Sequence, residues 1–365
     1  MRKVLFHLNS LEKGGAERVV CTLAGQFYNN GYEVVIATEW TGKDEYVLAE
    51  GVRRIHVGLT DEGGRIHSFL YRIRALRKVL KEERPDVVLA FAKKAIYRAL
   101  LSTVGTKIPV ILSVRTSPVG NYDHISDRIL IPLLYNRAAG AVFQTKQAKS
   151  FFPKKLQERA AVIINPIQKD YLGRSSPVTR KKEIVQVGRL DRVKDQETLL
   201  ESMYRVHRKY PDYILRIYGG DSGDGTKEAL EESIALHKAG GYIFLMGSAQ
   251  HLEERIEDAS VFVLSSYLEG MPNALMEAMA LGLPVVATDC PCGGPADLIK
   301  SGENGILVPV RNAEAMAEAI MSLLENAELA KEMGMRAMKI GEHAGEAEIF
   351  AIWREYVEKT LTRMD

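Results

Sequence analysis

The densest chemistry in the chain is the run Glu269-Gly270-Met271-Pro272-Asn273-Ala274-Leu275-Met276-Glu277. Two carboxylates bracket a Gly-x-Pro-Asn turn that opens a helical segment. Pro272 and Asn273 mark the helix start, with Asn273 as the expected cap. The first amides of a helix have no partner inside it and attract anions, so they suit a diphosphate. Glu277, one turn in on an otherwise apolar stretch, is costly to bury unless donors face it, and two ribose hydroxyls would be such donors. Glu269 precedes the turn and would reach whatever the diphosphate carries. A plain cap with one surface acid and one ion-paired acid would leave the bracketing of the turn unexplained. A second motif is Gly188-Arg189-Leu190-Asp191-Arg192-Val193-Lys194, directly after the apolar run Ile184 to Val187. Arginine clamps a phosphate through two hydrogen bonds, and lysine adds a point charge. A third, Gly14-Gly15-Ala16-Glu17-Arg18, lets backbone approach a ligand closely at a helix start. It is not a dinucleotide fingerprint, because Glu12-Lys13 stands where a glycine is needed.

These motifs need strands and helices to hold them. Candidate strands in the first half are Lys3 to Leu8, Glu33 to Thr38, Arg53 to Val57, Asp86 to Phe91, Pro109 to Val114, Ala141 to Gln144 and Ala161 to Asn165. The second half has Glu183 to Val187, Tyr213 to Tyr218, Tyr242 to Leu245, Ser260 to Leu264, Pro284 to Thr288 and Gly305 to Val308. Segments of helical length and period lie between them, which predicts βαβ units and parallel sheets covered on both faces. The 365 residues exceed what one core organises, since cores stop growing near about 250–300 residues, so two domains are expected. Asp170 to Lys182 holds Gly173, Ser175, Ser176 and Pro177 with no apolar period, and 171–182 reads as the linker. The expected fold is therefore α/β. Two Rossmann-like domains, 1–170 and 183–343, face a central cleft, the default ligand site. The tail within 344–365 reads as a helix carrying Ile349, Phe350, Ile352, Trp353, Tyr356 and Val357, able to pack on either domain.

The arrangement of Glu269 and Glu277, with Gly188-Arg189-Leu190 and Lys194 upstream, resembles the large retaining glycosyltransferase family 4. The resemblance runs from Gly14-Gly15 to the tail. It implies the GT-B architecture and transfer of a sugar from a nucleotide donor, with retained anomeric configuration and no required metal. By the same resemblance Arg189 and Lys194 hold the donor diphosphate, Glu277 binds the ribose and Glu269 contacts the donor sugar. The turn Gly270, Met271, Pro272, Asn273, Ala274 and Leu275 matches the phosphate-binding segment, although Pro272 has no N–H to offer. Gly14 and Gly15 match a first-domain loop that closes on the donor. Gly219 and Gly220 match the glycine turn under it, and Met246-Gly247-Ser248 the loop that reads the base. The tail helix would cross back onto the first domain. Many family members carry a histidine after the strand that corresponds to Val110 to Val114. Here the nearest counterpart is Arg115, which can stabilise phosphate charge but cannot act as a base near neutral pH. No first-domain carboxylate stands where a covalent intermediate would need one, which suits attack on the face the phosphate leaves.

Composition narrows the setting. An apolar share of 46% and a charged share of 26% exclude wholesale disorder and fibrous structure. A net charge of +2 argues against a nucleic-acid partner, but it hides a split of +12 up to Ser175 and −10 beyond. Cys21, Cys290 and Cys292 make neither a disulfide framework nor a zinc spacing, so no metal site is expected. No apolar stretch reaches the roughly 18–20 residues of a membrane span, and the N-terminus has no signal-peptide design. The expected setting is cytoplasmic, with peripheral contact at the inner face of the membrane. Ile66, Phe69, Leu70, Ile73, Leu76, Val79 and Leu80 recur at helical spacing among Arg65, Arg72, Arg74, Arg77, Lys78, Lys81 and Arg84. The stripe is expected to pack on a sheet. The cations, with Lys93, Lys94, Arg98, Lys146, Lys149, Lys154 and Lys155, would face anionic lipid or a lipid-diphosphate acceptor, each worth about 1 kcal/mol at such a surface. Asp221-Ser222-Gly223-Asp224-Gly225 reads as a turn, Cys290-Pro291-Cys292-Gly293-Gly294 as a loop lining the cleft and His7 as a packed histidine. Similarity to bacterial enzymes that extend lipid-linked oligosaccharides points to a UDP-sugar donor of hexose or N-acetylhexosamine. GDP-mannose is the alternative donor, a nucleotide-sugar epimerase the alternative class and a silent sugar-nucleotide sensor a third reading.

Overall fold

The computed structural model describes residues 1–58, 65–174 and 179–364, with backbone alone at 65 and 66. Every apolar run singled out above is a strand. In the first half these are β1 (Lys3–Leu8), β2 (Glu33–Thr38), β3 (Arg53–His56), β4 (Val87–Phe91), β5 (Val110–Val114), β6 (Gly140–Phe143) and β7 (Ala160–Val162). Between them lie α1 (Gly15–Asn29), α2 (Arg65–Glu83), α3 (Lys93–Ser102), α4 (Ile125–Leu134), α5 (Lys146–Ser150) and α6 (Lys154–Gln157). The second half has β8 (Lys181–Val187), β9 (Ile214–Tyr218), β10 (Ile243–Gly247), β11 (Ala259–Leu264), β12 (Val285–Thr288) and β13 (Ile306–Val308). Its helices are α7 (Gln196–Lys209), α8 (Thr226–Leu236), α9 (Leu252–Ile256), α10 (Asn273–Ala280), α11 (Gly294–Leu298), α12 (Ala313–Glu325), α13 (Ala327–Met338) and α14 (Glu346–Thr362).

Two units divide the chain: Met1–Pro166 with Glu346–Asp365, and Ile167–Gly345. Among the described residues the first carries a seven-stranded parallel sheet in the order β3-β2-β1-β4-β5-β6-β7. The second carries a six-stranded parallel sheet in the order β10-β9-β8-β11-β12-β13. Central strands are apolar on both faces because helices cover both. All five residues of β4 are buried, for example. The linker is narrower than 171–182. Lys181 and Lys182 already belong to β8, where the Lys181 N–H donates to Asp258 O at 2.7 Å. Ile167 joins the second unit, its N–H donating to Ala344 O at 2.7 Å. Ser175, Ser176 and Pro177 lie outside the described residues.

The tail helix α14 packs on the first unit. Ile349, Phe350, Trp353 and Val357 are buried among Phe6, Phe27 and Phe91. Phe350 meets Phe27 edge-on at 5.1 Å between ring centroids, and Trp353 stacks on Phe91 at 6.1 Å. At about 25 cal/mol per Å² of buried apolar surface, one such indole contributes about 4–6 kcal/mol. Tyr356 reaches the sheet edge: its hydroxyl accepts from Ala141 N at 2.8 Å and lies 2.5 Å from Arg159 O. Gly140 makes room, since a Cβ there would lie 2.4 Å from the Tyr356 hydroxyl.

Candidate functional site

In each sheet the winding reverses once. In the second unit that point lies between β8 and β11, where the chain runs outward to β9 and β10 on one side and to β12 and β13 on the other. Loops leaving the two central strands diverge there and open a crevice at their C-terminal ends. The loop after β8 is Gly188 to Asp195, and the loop after β11 is Ser265 to Pro272, so the two strongest sequence motifs meet at this point.

Backbone bonds stitch the loops together. Gly188 N donates to Tyr218 O at 2.8 Å, Leu190 N to Gly220 O at 2.9 Å and Gly219 N to Gly247 O at 2.9 Å. Gly219 must be glycine, because a Cβ there would lie 1.9 Å from Gly188 O. Gly220 faces Ser248, whose Oγ would be 2.8 Å from an added Cβ, and Gly247 takes a left-handed φ of 68°. Gly188 itself has room, its nearest neighbour being Lys194 Cε at 3.5 Å from an added Cβ. Asp191 accepts from Val193 N at 2.8 Å and caps a 3-10 turn over Arg192–Lys194, so α7 begins at Gln196, past Lys194.

Lys194, Ser266 and Glu269 lie close together. Lys194 Nζ is 2.6 Å from Glu269 Oε1, and Ser266 Oγ donates to the same oxygen at 2.7 Å. Arg189 extends into solvent, with Nη2 3.2 Å from Asp191 Oδ2 and 70% of its side chain exposed. Glu277 is 6% exposed, one turn into α10. Asn273 is not the cap. Pro272 holds that position with φ −78° and ψ 102°, and Asn273 is already the first helical residue. Leu275 is fully buried, so it can offer a ligand only its first-turn N–H, as can Ala274. Met276 N is taken by Pro272 O at 3.1 Å.

Sequence reasoning missed the residues that hold this arrangement. Ser265 Oγ donates to Lys194 O at 2.7 Å and accepts from Gln186 Nε2 at 2.8 Å. Tyr267 N donates to Val193 O at 3.0 Å, and Gln196 Nε2 to Arg189 O at 2.8 Å. Thr288 Oγ1 donates to Ser266 O. Gly294 supports the phosphate turn from behind, since a Cβ there would lie 1.9 Å from Gly270 O. The signal for Gly294 was the Gly293-Gly294 pair at a helix start; the serines gave none. Cys290 and Cys292 are buried on the loop that leads into Gly294. Burial, then the Glu269 carboxylate, pushes the Cys290 thiol up to about 12, so it is inert as a nucleophile. A cavity of about 700 Å³ lined by Asp191, Gln196, Thr226, Tyr267 and Arg311 shares the β8 loop, but neither Glu269 nor Glu277 lines it.

In the first unit the reversal lies between β1 and β4. Gly14 caps α1 after β1 in extended backbone, and Ala92 after β4 adopts φ 67°, a strained value for a residue with a side chain. A Cβ on Gly14 would meet only the flexible Glu17 Oε2, at 2.5 Å, so packing alone does not demand glycine there. Arg115 follows β5. Its guanidinium lies over Phe91 and Trp353, 5.6 and 5.4 Å from the ring centroids, and Nη1 donates to Asn165 Oδ1 at 2.7 Å. Nε and Nη2 are buried without partners. Burial pushes its pKa down to about 9, which leaves it a cation at neutral pH. His7 is packed: Nδ1 meets Ala37 O at 3.0 Å, and Nε2 lies 3.4 Å from Glu39 Oε1. Arg98 closes on the other Glu39 oxygen. Burial pushes the Glu39 carboxyl up, but His7 and Arg98 outweigh it and hold it below the ordinary range.

Two parallel Rossmann-like units, one with cations and a helix start gathered at its switch point, define a glycosyltransferase of the GT-B class. The family is equally plain: residues 13–171 match the Glycosyltransferase Family 4 model and residues 169–340 the model of Glycosyl transferases group 1. The chain belongs to glycosyltransferase family 4. It is 24% identical over 344 residues, 91% of this chain and 92% of the relative, to the GalNAc-alpha-(1->4)-GalNAc-alpha-(1->3)-diNAcBac-PP-undecaprenol alpha-1,4-N-acetyl-D-galactosaminyltransferase of Campylobacter jejuni. Sucrose-phosphate synthase from Thermosynechococcus elongatus shares the fold with a TM-score of 0.85 at 17% identity, each chain covered fully. HepE from Anabaena, in complex with UDP-glucose, does so with a TM-score of 0.83 at 16% identity, over 98% of this chain and 100% of that one. Among the described residues no helix is long and apolar enough to cross a membrane.

Proposed function

We propose that the chain is a retaining, metal-independent glycosyltransferase. It moves a hexose or N-acetylhexosamine from a UDP-sugar to a lipid-linked or glycan acceptor in cell-surface polysaccharide synthesis. It works at the cytoplasmic face of the membrane, in peripheral contact with anionic lipid through its basic first unit. The observation that carries this reading is the contact of Lys194 and Ser266 with Glu269 at the switch point of the second sheet. The UDP-glucose held by HepE and the undecaprenol-linked acceptor named for the Campylobacter enzyme support the choice of donor and acceptor.

The chemistry follows from charge. Breaking the anomeric C–O bond leaves its electron pair on the diphosphate, and Arg189, Lys194 and the first-turn amides of α10 supply the positive field that stabilises it. These groups do the work a divalent cation would otherwise do. Glu277 accepts from the ribose hydroxyls and Glu269 from the sugar. The acceptor oxygen bonds to the anomeric carbon on the face the phosphate leaves, and its proton passes to a phosphate oxygen. No enzyme nucleophile is consumed.

A thermal-shift panel of UDP, GDP and their sugars tests the reading. A ligand at 100 times its Kd stabilises by about 2.7 kcal/mol. Glu277→Ala is expected to abolish the UDP shift, and Glu269→Ala to remove mainly the discrimination among sugars. A shift with GDP alone would move the donor to GDP-mannose. An epimer formed from the UDP-sugar without acceptor would make the enzyme an isomerase, and a trapped glycosyl adduct on a carboxylate would overturn the mechanism.

A further inference from the structure

Helix α4 leaves large apolar side chains in water. Ile125, Ile129 and Leu133 are 80%, 66% and 64% exposed. Their spacing of four residues places them in one row on one helix face, while Asp127, Ile131 and Leu134 are buried on the other. Single exposed apolar residues are ordinary on a protein surface, but a continuous row of them is not. Phe151 adds to it: 42% exposed, it borders the aromatic cluster of Tyr122 and Phe152, at 6.4 and 5.3 Å between ring centroids.

Charge identifies what the row meets. Residues 123–158 hold the cations Arg128, Arg137, Lys146, Lys149, Lys154 and Lys155 against the acids Asp123, Asp127 and Glu158, of which Asp123 and Glu158 are exposed at the two ends. Asp127 is buried and ion-paired, 2.5 Å from Lys93 Nζ and 2.9 Å from the Tyr97 hydroxyl. The stretch therefore presents exposed aliphatic side chains among six cations, which outnumber its two exposed carboxylates. A helix that lies in the interface of an anionic bilayer has this composition. A second copy of the chain would bring the same cations against them. The α2 stripe differs, because Leu76, Val79 and Leu80 are already buried on the body.

We propose that the outer face of α4 is a membrane-docking surface. Ile125, Ile129 and Leu133 enter the acyl boundary of an anionic phospholipid leaflet, and Arg128 and the neighbouring lysines contact the headgroups. The inference rests on the membrane contact proposed above and assigns it to one helix.

The experiment is co-sedimentation of the full chain with vesicles of equal parts phosphatidylglycerol and phosphatidylcholine, against phosphatidylcholine alone. The Ile129→Glu/Leu133→Glu double variant is compared with Leu70→Glu/Tyr71→Glu on α2. All four residues are exposed, so both variants keep the fold, and an unchanged thermal midpoint checks this. The wild-type chain is expected to bind the anionic vesicles and the α2 variant to bind them as well, whereas the α4 variant binds about a hundredfold more weakly. Wild-type binding undiminished in the α4 variant overturns the assignment to α4 and leaves membrane contact standing. No binding by the wild-type chain overturns both. A dimer in solution that the α4 variant breaks, with no vesicle binding, would make this face an interface between copies and refute the proposal.

Discussion

Three glycines of the donor loops separate packing from ligand approach. A Cβ on Gly219 would overlap the Gly188 carbonyl oxygen at 1.9 Å, and the obstacle is backbone that also donates to Tyr218 O. Gly219→Ala therefore forces the β8 and β9 loops apart, with a loss of about 3 kcal/mol or more, the upper end for overpacking. For a unit of this size that lowers the melting temperature by about 6–12 °C. Gly247→Ala meets no atom but must hold φ 68°, a strain of about 1–2 kcal/mol. Gly188→Ala makes only an ordinary contact, with Lys194 Cε at 3.5 Å, and the unliganded protein changes by no more than about 0.5 kcal/mol. If the loop lies against a diphosphate, Gly188→Ala still weakens UDP binding while leaving the apo protein stable. Calorimetry with and without UDP reads both quantities. Equal apo destabilisation by Gly188→Ala and Gly219→Ala would refute the steric reasoning, and unchanged UDP affinity in Gly188→Ala would remove the loop from the donor site.

Two further predictions concern the first unit. Tyr356→Phe removes the hydroxyl that accepts from Ala141 N and donates toward Arg159 O, and leaving those backbone groups unpaired costs about 1–3 kcal/mol. Denaturant unfolding measures it, and no loss would mean that water replaces the hydroxyl at the sheet edge. Glu45 is held down to about 2 by Arg54, against some burial, with the Gly42 and Leu11 N–H groups assisting. Its folded pKa is lower than its unfolded value of about 4.3, so its stabilisation is complete above that value and is lost as pH falls toward about 2. Glu45→Gln is expected to flatten the acid limb of the stability profile across that window, and an unchanged limb would assign it to other carboxylates.

The sheets were legible because a strand buried on both faces is a nearly continuous apolar run, and most of the runs sit between helix-length segments. The positions of Arg189, Lys194, Glu269 and Glu277 were legible because strand, loop and helix are adjacent in sequence, and the switch point follows from strand order. What failed was long-range or fine-grained. Ser266, Thr288 and Gly294 serve the site through partners that only folding brings near, and the Glu39 cluster joins residues 7, 39 and 98, which share no local pattern. Asn273 looked like a cap because its type suits one, but the extended backbone of Pro272 shifted the boundary by one residue. The apolar residues of α4, Ile125 to Leu134, carry no sequence signal of exposure, and only burial shows that half of them face water.

The charge split takes on a local meaning at the site. Net charge beyond Ser175 is −10, yet this half carries the groups assigned to an anionic donor. The field there is set by short range: Lys194 and the α10 amides act within a few ångströms, while most acids of the unit lie on solvated helix faces where salt screens them. Lys194 is already committed to Glu269, and Arg189 to Asp191. The Lys194 ammonium has three N–H donors, of which the Glu269 contact uses one, so it can meet a diphosphate and the carboxylate together. The short turn capped by Asp191 and the Glu269 carboxylate fix where that ammonium sits, so the positive charge is placed by its neighbours and not by the net charge of the unit.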